Sequence, residues 1–343
     1  MLRGGGVGPE GADHLLDMRM IAGNSHPELA TAVAKCLGVT LVQSKIDRFS
    51  NGEIHVQIME NIRRRKVVVL QTGAGVPEKG YTINDVLMEL LCIVNALRLS
   101  SVVDITVVIP NFFYARQDKK DVSRAPISGR LVADLLQSAG VTRVVTMDLH
   151  AAQIAGFFNI PVDNLYGVDI LAQYLRDYMN IEKNRNDLVL VSPDAGGIKR
   201  MDTLASKLQI SSVIMHKSRN HQEKSMVMNT LLIGEEGCVK GKKCILIDDM
   251  CDTAGTIVKA SQTLIEHGAR EIAIVVVHGI LSGPAIERLN AAEFVTDVIV
   301  TNSISQEDNM KLCPKLKVVD ISPLLAEAIR RLYTGESISA LFD

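Results

Sequence analysis

Two adjacent acidic residues open a segment whose residue types favour binding of a phosphorylated sugar. Asp248 and Asp249 follow the apolar run Cys244–Ile247, and a short loop, Asp252–Thr256, comes next. Ligands of open α/β sheets bind at the carboxyl ends of strands. The backbone N–H groups of such a loop and the positive end of the helix after it suit a phosphate. The two carboxylates are acceptors for sugar hydroxyls or a metal ion.

The composition of this loop supports the functional interpretation over a structural one. Asp252 could simply cap an ordinary strand-to-helix turn. Thr253 and Thr256 add hydroxyl donors, however, and Ala254 and Gly255 allow the backbone to approach a ligand closely. Paired aspartates after a buried strand are hard to explain structurally, because burial of charge is costly. The segment therefore predicts a site for a phosphate beside a diol.

The elements that must position this segment follow an alternating pattern. Short apolar runs alternate with segments of helical period, which indicates an α/β fold with mostly parallel sheets. The strand candidates are Met18–Ala22, Leu41–Val42, Val67–Gln71, Ile105–Pro110, Val144–Met147, Leu188–Val191, Ser212–His216, Cys244–Ile247, Ile272–His278 and Val298–Val300. The helix candidates are Pro27–Leu37, Asn84–Ser100, Ser128–Ser138, Lys199–Leu208 and Thr256–His267.

Length and composition bound the class of protein. The 343 residues suit two domains, and 47% hydrophobic residues with only 4% aromatics are typical of buried parallel strands and their helices. A net charge of −2 argues against a nucleic-acid partner. Six cysteines without a CxxC pair give no zinc signal and suit a reducing compartment. No apolar run approaches the ~18–20 residues of a membrane span. We therefore expect a cytoplasmic protein with no membrane partner.

The segment ILIDDMCDTAGT resembles the signature that binds phosphoribosyl pyrophosphate (PRPP) in type I phosphoribosyltransferases and ribose-phosphate pyrophosphokinases. Further motifs favour the second family and extend the resemblance from about Met20 to the C-terminus. They are FSNGE at 49–53, NDVLMELL at 84–91, YARQDKKDVSRAPISGRLVADLL at 114–136, MDLHAAQIAGFFNIPVDNLY at 147–166, SPDAGGIKR at 192–200, HKSR at 216–219, HGILSGPAIERL at 278–289 and AEAIRRLYTGESIS at 326–339.

This resemblance implies a ribose-phosphate diphosphokinase, which transfers the β,γ-pyrophosphoryl group of ATP to the C1 hydroxyl of ribose 5-phosphate. It implies two phosphoribosyltransferase type I-like domains, each with a mostly parallel sheet flanked by helices. We expect a flexible extension over 1–18, an ATP-side domain over 19–166 and a ribose 5-phosphate-side domain over 167–343, the last residues of which pack back on the first domain. A homo-oligomer is expected, with dimers assembling to a hexamer.

The resemblance also assigns roles to single residues. Ribose 5-phosphate binding falls to Arg219, Asp248, Asp249, Asp252, Thr253, Ala254, Gly255 and Thr256. ATP binding falls to Asn51, Gly52, Glu53, Arg116, Gln117 and His150. Taken alone, the stretch RQDKKDVSR is better interpreted as a solvated charged loop. Lys120, Arg124 and Ser128 match a region that lines a regulatory phosphate or ADP site in many members.

Catalysis is assigned to two cations and a metal ion. Lys217 and Arg219 alternate on an extended stretch, so they point the same way, and such cations neutralise charge that develops on phosphate oxygens. The resemblance makes these two residues catalytic. It also implies Mg²⁺, with ATP as the Mg-ATP substrate. The metal positions are His150 and Asp194, with Asp148 and Asp163 as weaker candidates.

Two alternative functions stay open, and one stretch of the sequence differs from the usual family pattern. A non-catalytic regulatory subunit of the same family would tend to lose the DDM–DTAGT and RQD motifs, which are intact here. A phosphoribosyltransferase would have no use for FSNGE or YARQD. The stretch Gly73–Thr82 is longer than is usual in the family, ahead of NDVLMELL.

Overall fold

The computed structural model describes residues 17–120, 122–219, 228–234 and 237–342. The chain divides into two compact units. The first contains the described residues up to Tyr166, together with Ser303–Ser305 and Ile321 onwards. The second contains Gly167–Asn302 and Gln306–Asp320.

A five-stranded parallel sheet forms the centre of the first unit. Its strands are β1 (Met18–Ala22), β4 (Lys66–Leu70), β5 (Asp104–Ile109), β6 (Arg143–Met147) and β7 (Val162–Leu165). They lie side by side in the order β1-β4-β5-β6-β7, and all four pairings are parallel. Valines of β4 and β5 are fully buried, as expected for strands covered on both faces.

Helices cover this sheet, and their ends follow ordinary capping chemistry. They are α1 (Pro27–Leu37), α2 (Ile83–Leu99), α3 (Ser128–Ala139) and α10 (Ser322–Thr334). A capping box between Thr82 and Asp85 begins α2, and Gly38 and Gly140 end α1 and α3 in left-handed conformation. The C-terminal helix α10 packs on α1 within this unit.

A separate antiparallel hairpin projects from the first unit. It consists of β2 (Ser44–Arg48) and β3 (Ile54–Ile58), and β3 packs against α2. The strand predicted at Leu41–Val42 is wrong: of these two residues only Leu41 makes a bridge, an isolated one to Met20. The hairpin escaped the prediction because its strands are mostly half-buried and polar rather than continuous apolar runs.

The second unit contains a seven-stranded sheet. Its order is β10-β9-β8-β11-β12-β13-β14, and every pairing is parallel except that of β10 with β9. The strands are β8 (Leu188–Ser192), β9 (Ser211–Arg219), β10 (Met228–Ile233), β11 (Lys243–Cys251), β12 (Glu271–Gly279), β13 (Val295–Thr301) and β14 (Leu316–Val319). The helices are α4 (Val168–Tyr178), α5 (Ile181–Asn184), α6 (Ile198–Leu208), α7 (Gly255–Glu266), α8 (Ala285–Ala291) and α9 (Glu307–Leu312). The predicted α/β class with mostly parallel, helix-flanked sheets is confirmed.

The central strand β11 is longer than expected. Predicted to end at Ile247, it continues to Cys251 through parallel pairing with β12, in which Asp248 lies opposite Val276 and Met250 opposite His278. The two aspartates therefore occupy the last residues of a strand rather than a loop. Among the described helices, none combines the length and apolar character that crossing a membrane requires.

Candidate functional site

The carboxyl end of β11 carries the paired aspartates, whose carboxylates interact with each other. Asp249 is 5% exposed and Asp248 is partly buried. The backbone N–H of Asp249 donates to Oδ1 of Asp248 at 2.8 Å, and Nη1 of Arg200 lies 3.9 Å from the same oxygen. Burial, and then the nearby charge of Asp249, raise the pKa of Asp248 to about 7. Near neutral pH the carboxyl of Asp248 is therefore protonated in part of the molecules, at the point where the sugar hydroxyls are expected to bind.

The loop after β11 turns sharply before α7 begins. Ala254 has a φ of 59°, in the left-handed region that non-glycine residues seldom adopt, and its side chain is 4% exposed. Thr253 and Thr256 are exposed, while Gly255 is the first residue of α7. The first N–H groups of a helix have no partner within it, so this turn presents donors and the positive end of α7 together. An anion fits such a site.

The thiol beside this loop is not a candidate nucleophile. Cys251 is 3% exposed. Burial raises the pKa of its thiol to about 12, so the reactive thiolate is scarce at neutral pH. The chemistry of this site therefore depends on positioned charges rather than on a covalent cysteine intermediate.

The loop that follows β12 and the start of α8 make hydrogen bonds to the loop Asp252–Thr256. Ser282 donates from its backbone N–H to the carbonyl of Asp252 at 3.0 Å, and its hydroxyl donates to Oδ1 of the same residue. Nη1 of Arg288, on α8, donates to the carbonyl of Thr253 at 2.8 Å. A Cβ at Gly255 would lie 3.1 Å from this Nη1, so a larger residue there would require the guanidinium to move by a few tenths of an ångström.

Sequence reasoning missed Ser282 and Arg288 as site residues. Both belong to HGILSGPAIERL, which was used only as a family motif. The available signal was the parallel pairing of the strands before the two loops, because carboxyl ends of adjacent parallel strands lie at one edge of a sheet.

Asp194 follows β8, which neighbours β11 in the sheet. Its side chain accepts hydrogen bonds from the N–H groups of Gly196 at 2.8 Å and Gly197 at 3.3 Å. Its charge contributes to the raised pKa of Asp248, which brings the two carboxylates into one electrostatic neighbourhood. Asp194 is exposed and retains room for a further ligand on its carboxylate.

The two cations predicted to be catalytic lie on the second half of β9. The backbone of Lys217 pairs with Thr230 and that of Arg219 with Met228 across the antiparallel edge of the sheet. Their side chains lie outside the described residues, and the following residues 220–227 do as well.

The residues predicted to bind ATP lie in two loops of the first unit. Asn51, Gly52 and Glu53 form the tip of the β2–β3 hairpin, where Gly52 has a φ of 93° and Oδ1 of Asn51 accepts from the N–H of Glu53 at 3.2 Å. Arg116 and Gln117 lie in the turn after β5, and all five of these side chains are exposed. Both loops therefore present polar groups to solvent.

The end of strand β6 brings two of the four metal candidates, Asp148 and His150, together, and Asp163 lies apart from them. Asp148 and His150 directly follow the carboxyl end of β6; Asp148 is 5% exposed with a φ of 39°, and His150 is exposed. Asp163 lies on β7 and pairs with Arg143, the first residue of β6, at 2.6 Å. Its carboxylate is thus directed towards the amino end of β6, away from Asp148 and His150.

The three residues predicted for a regulatory anion site lie around the start of α3. Lys120 and Arg124 are exposed, and Arg124 has a φ of 66°. Ser128 is the first residue of α3 and half-buried. Asp121, between them, is outside the described residues.

A metal ion at these positions would depend on its substrate for ligands. Within the ranges that the structure describes, no three His, Cys, Asp or Glu side chains group closely enough to hold a metal ion by themselves. Mg²⁺ takes one or two carboxylates and completes its shell with phosphate oxygens and water. Asp148 and His150 in the first unit, and Asp194 in the second, each offer the sparse donor set that this habit allows.

Two α/β units with mostly parallel sheets, one of them carrying an acidic pair and a short loop into a helix at a strand end, define a protein of the phosphoribosyltransferase type I-like class. A family model described as the N-terminal domain of ribose phosphate pyrophosphokinase matches residues 18–140. Another, described as the phosphoribosyl synthetase-associated domain, matches residues 232–343.

Individual relatives agree with these two matches. The chain is 49% identical over 326 residues to ribose-phosphate pyrophosphokinase 2 of Schizosaccharomyces pombe, covering 95% of this chain and 97% of that one. It is 46% identical to ribose-phosphate pyrophosphokinase A of Dictyostelium discoideum, with 95% and 98% covered. The crystal structure of phosphoribosylpyrophosphate synthetase from Mycobacterium smegmatis superposes with a TM-score of 0.83 at 40% identity, covering 93% of this chain and 99% of that one. The chain belongs to the ribose-phosphate pyrophosphokinase family, as its motifs predict.

Proposed function

We propose that the chain transfers the β,γ-pyrophosphoryl group of ATP to the C1 hydroxyl of ribose 5-phosphate, giving PRPP and AMP. The C1 oxygen attacks the β-phosphorus and forms the new O–P bond. The bond from that phosphorus to the oxygen bridging it to the α-phosphorus breaks, AMP leaves with this oxygen, and the hydroxyl proton is lost. The observation that carries the proposal is the run of an acidic pair, a left-handed turn at Ala254 and the start of α7 at one strand end.

Ribose 5-phosphate takes the site at the end of β11. The N–H groups at the start of α7 and the hydroxyls of Thr253 and Thr256 bind the 5-phosphate. Asp248 and Asp249 accept hydrogen bonds from the ribose hydroxyls. Because the phosphate and the diol are held at two points, the C1 hydroxyl is oriented before it attacks, and positioning of this kind lowers the barrier substantially.

ATP binds through the two exposed loops of the first unit, with Asn51, Gly52 and Glu53 on one and Arg116 and Gln117 on the other, together with His150. Mg²⁺, when bound with ATP, neutralises charge on the phosphate oxygens. The residues that would hold it are His150 in the first unit, with Asp148 as a further candidate there, and Asp194 in the second unit. The pairing of Asp163 with Arg143 disfavours that residue as a ligand.

Lys217 and Arg219 stabilise the transferring group. Charge moves on to the phosphate oxygens as the bridging bond breaks, and cations held near them act most strongly in the transition state. Both residues belong to β9, and Arg219 also contributes to the binding of ribose 5-phosphate.

Two further properties follow from the family. We propose a homo-oligomer, with dimers assembling to a hexamer, and a regulatory phosphate or ADP site at Lys120, Arg124 and Ser128. The six cysteines are all free thiols. This supports a reducing compartment, and we propose the cytoplasm.

The test is AMP formation by purified protein supplied with ATP, ribose 5-phosphate and Mg²⁺, followed by chromatography. We expect AMP only when all three are present, and PRPP in equal amount. AMP formation without ribose 5-phosphate would instead indicate hydrolysis. Folded protein that yields no AMP would support the non-catalytic regulatory subunit.

A further inference from the structure

The tip of the β2–β3 hairpin carries Asn51, Gly52 and Glu53 but has little sheet of its own. In the described part of the first unit, β2 and β3 pair only with each other. A two-stranded hairpin is marginally stable in water without further packing. The packing of β3 against α2 anchors the base of the hairpin, and contacts of the residues that flank the tip position the tip itself.

Arg48 makes those contacts. It is the last residue of β2 and lies three residues before Asn51 of the tip. Its guanidinium carbon lies 3.7 Å from the ring centroid of Tyr81, Nη1 donates to the carbonyl of Gly80 at 3.2 Å, and Nη2 lies 3.0 Å from Oδ2 of Asp85. Three different groups thus fix one side chain, of which 23% is exposed.

The partners of Arg48 are themselves well anchored. Asp85 belongs to the capping box of α2, and hydrogen bonds from the Thr82 hydroxyl and backbone, with the charge of Arg48, hold the pKa of its carboxyl below the usual value. Tyr81 forms an antiparallel bridge with Val76, with backbone hydrogen bonds of 2.8 and 3.1 Å. Burial of its ring raises the pKa of Tyr81, so the phenol stays neutral against Arg48.

The same segment also contacts the second predicted ATP loop. The hydroxyl of Tyr114 donates to Oδ1 of Asn84. Tyr114 begins the turn that presents Arg116 and Gln117, and its carbonyl accepts from the N–H of Gln117 at 3.0 Å. Residues 80–85 therefore lie between the flanks of both loops.

We propose that the segment Gly80–Asp85 holds both ATP-binding loops in position, and that the contact between Tyr81 and Arg48 is central to this role. The inference rests on the proposed function, because it concerns the nucleotide site of that reaction. Tyr81 and Arg48 are positioning residues: they act on ATP through the hairpin tip and do not touch the reacting atoms. Loss of the ring loosens the tip and weakens ATP binding, while the sugar site, carried by other elements, is unaffected.

The experiment compares Tyr81→Ala, Tyr81→Phe and Glu78→Ala. Glu78 is an exposed residue of the same loop and is the matched control. A cation–π contact at a partly exposed site corresponds to about three- to tenfold in affinity. We expect Tyr81→Ala to raise the KM for Mg-ATP by about that factor with an unchanged KM for ribose 5-phosphate. Tyr81→Phe keeps the ring and should match the unsubstituted protein, as should Glu78→Ala.

A direct binding measurement separates this inference from the reaction itself. The affinity for adenosine 5′-(β,γ-imido)triphosphate is measured by calorimetry on the same proteins, with melting temperatures to show that each is folded. Should Tyr81→Ala prove poorly folded, Asn84→Ala tests the Tyr114 side of the segment by the same readouts. Equal affinity of Tyr81→Ala and Tyr81→Phe would overturn the inference. Absence of AMP formation by the unsubstituted protein would count against the proposed reaction. The comparison of nucleotide affinities between the variants does not depend on AMP formation.

Discussion

The guanidinium of Arg288 donates from Nη1 to the carbonyl of Thr253 at 2.8 Å. The bond joins α8 to the loop between β11 and α7, 35 residues earlier in the chain. It places a cation beside the predicted site of the 5-phosphate and fixes a loop whose next residue, Ala254, is in the left-handed conformation.

Arg288→Gln is expected to weaken binding of ribose 5-phosphate. The loop loses its clamp and the site loses a positive charge, so the KM for ribose 5-phosphate should rise by about tenfold, as for loss of one charge-assisted hydrogen bond of about 1.5 kcal/mol. The KM for ATP should change little. Steady-state kinetics with each substrate varied in turn gives both values.

Arg270→Gln is the matched control for Arg288. Arg270 is also an exposed arginine of the second unit and donates to a backbone carbonyl, that of Gly241, at 3.2 Å. It is expected to leave both KM values unchanged. Equal effects of the two substitutions would mean that the clamp has no specific role.

The raised pKa of Asp248 predicts that the stability of the folded protein depends on pH. Its pKa is raised from 3.8 to about 7, chiefly by burial and then by the charge of Asp249, with Asp194 adding to the rise and Arg200 nearby. The folded state therefore holds a proton that the unfolded state has released, and the resulting stability is lost as pH rises from about 4 through 7. Asn at 248 is neutral throughout.

This prediction is checked by comparing the melting temperature of Asp248→Asn with that of the unsubstituted protein. At pH 4.5 the two should be similar, and at pH 8 the variant should melt higher, by about 2 to 4 °C for each kcal/mol of relief. A difference that does not change with pH would show that Asp248 titrates normally.

Lys217→Ala is expected to lower kcat by about 100-fold or more, the usual loss when one group that stabilises transition-state charge is removed. The affinity for ribose 5-phosphate should change much less. Rapid-quench measurement of AMP formation and equilibrium binding of ribose 5-phosphate separate the two effects. Lys259→Ala, which removes an exposed lysine of α7, serves as the control. An unchanged kcat for Lys217→Ala would remove this residue from the mechanism.

The buried core and the main site segment were accessible to sequence reasoning because their residues are contiguous. Parallel strands such as β8 and β12 are unbroken apolar runs, and the motif from Asp248 to Thr256 lies on nine consecutive residues. The extension of β11 to Cys251 was not accessible, since polar residues at a strand end depend on pairing with β12 for their conformation.

The site features that could not be predicted from the sequence are contacts between residues that lie far apart along the chain. Arg288 reaches Thr253, and Arg48 reaches Tyr81, only through the fold. Asp163 fits a metal-ligand pattern by type and position, yet its register on β7 pairs it with Arg143. The side chain of a charged residue on a short strand can lie on either face of the sheet and point towards either end of a neighbouring strand. The pairing with the neighbouring strands determines which of these positions it takes.

The transfer of an intact pyrophosphoryl group is tested most directly by following the phosphorus atoms of ATP. Purified protein receives Mg²⁺, ribose 5-phosphate and ATP labelled with ³²P at the α, β or γ position in separate reactions. Label from the β and γ positions should appear together in PRPP, and label from the α position only in AMP. Release of γ label alone, with ADP as the other product, would contradict attack at the β-phosphorus and with it the proposed function.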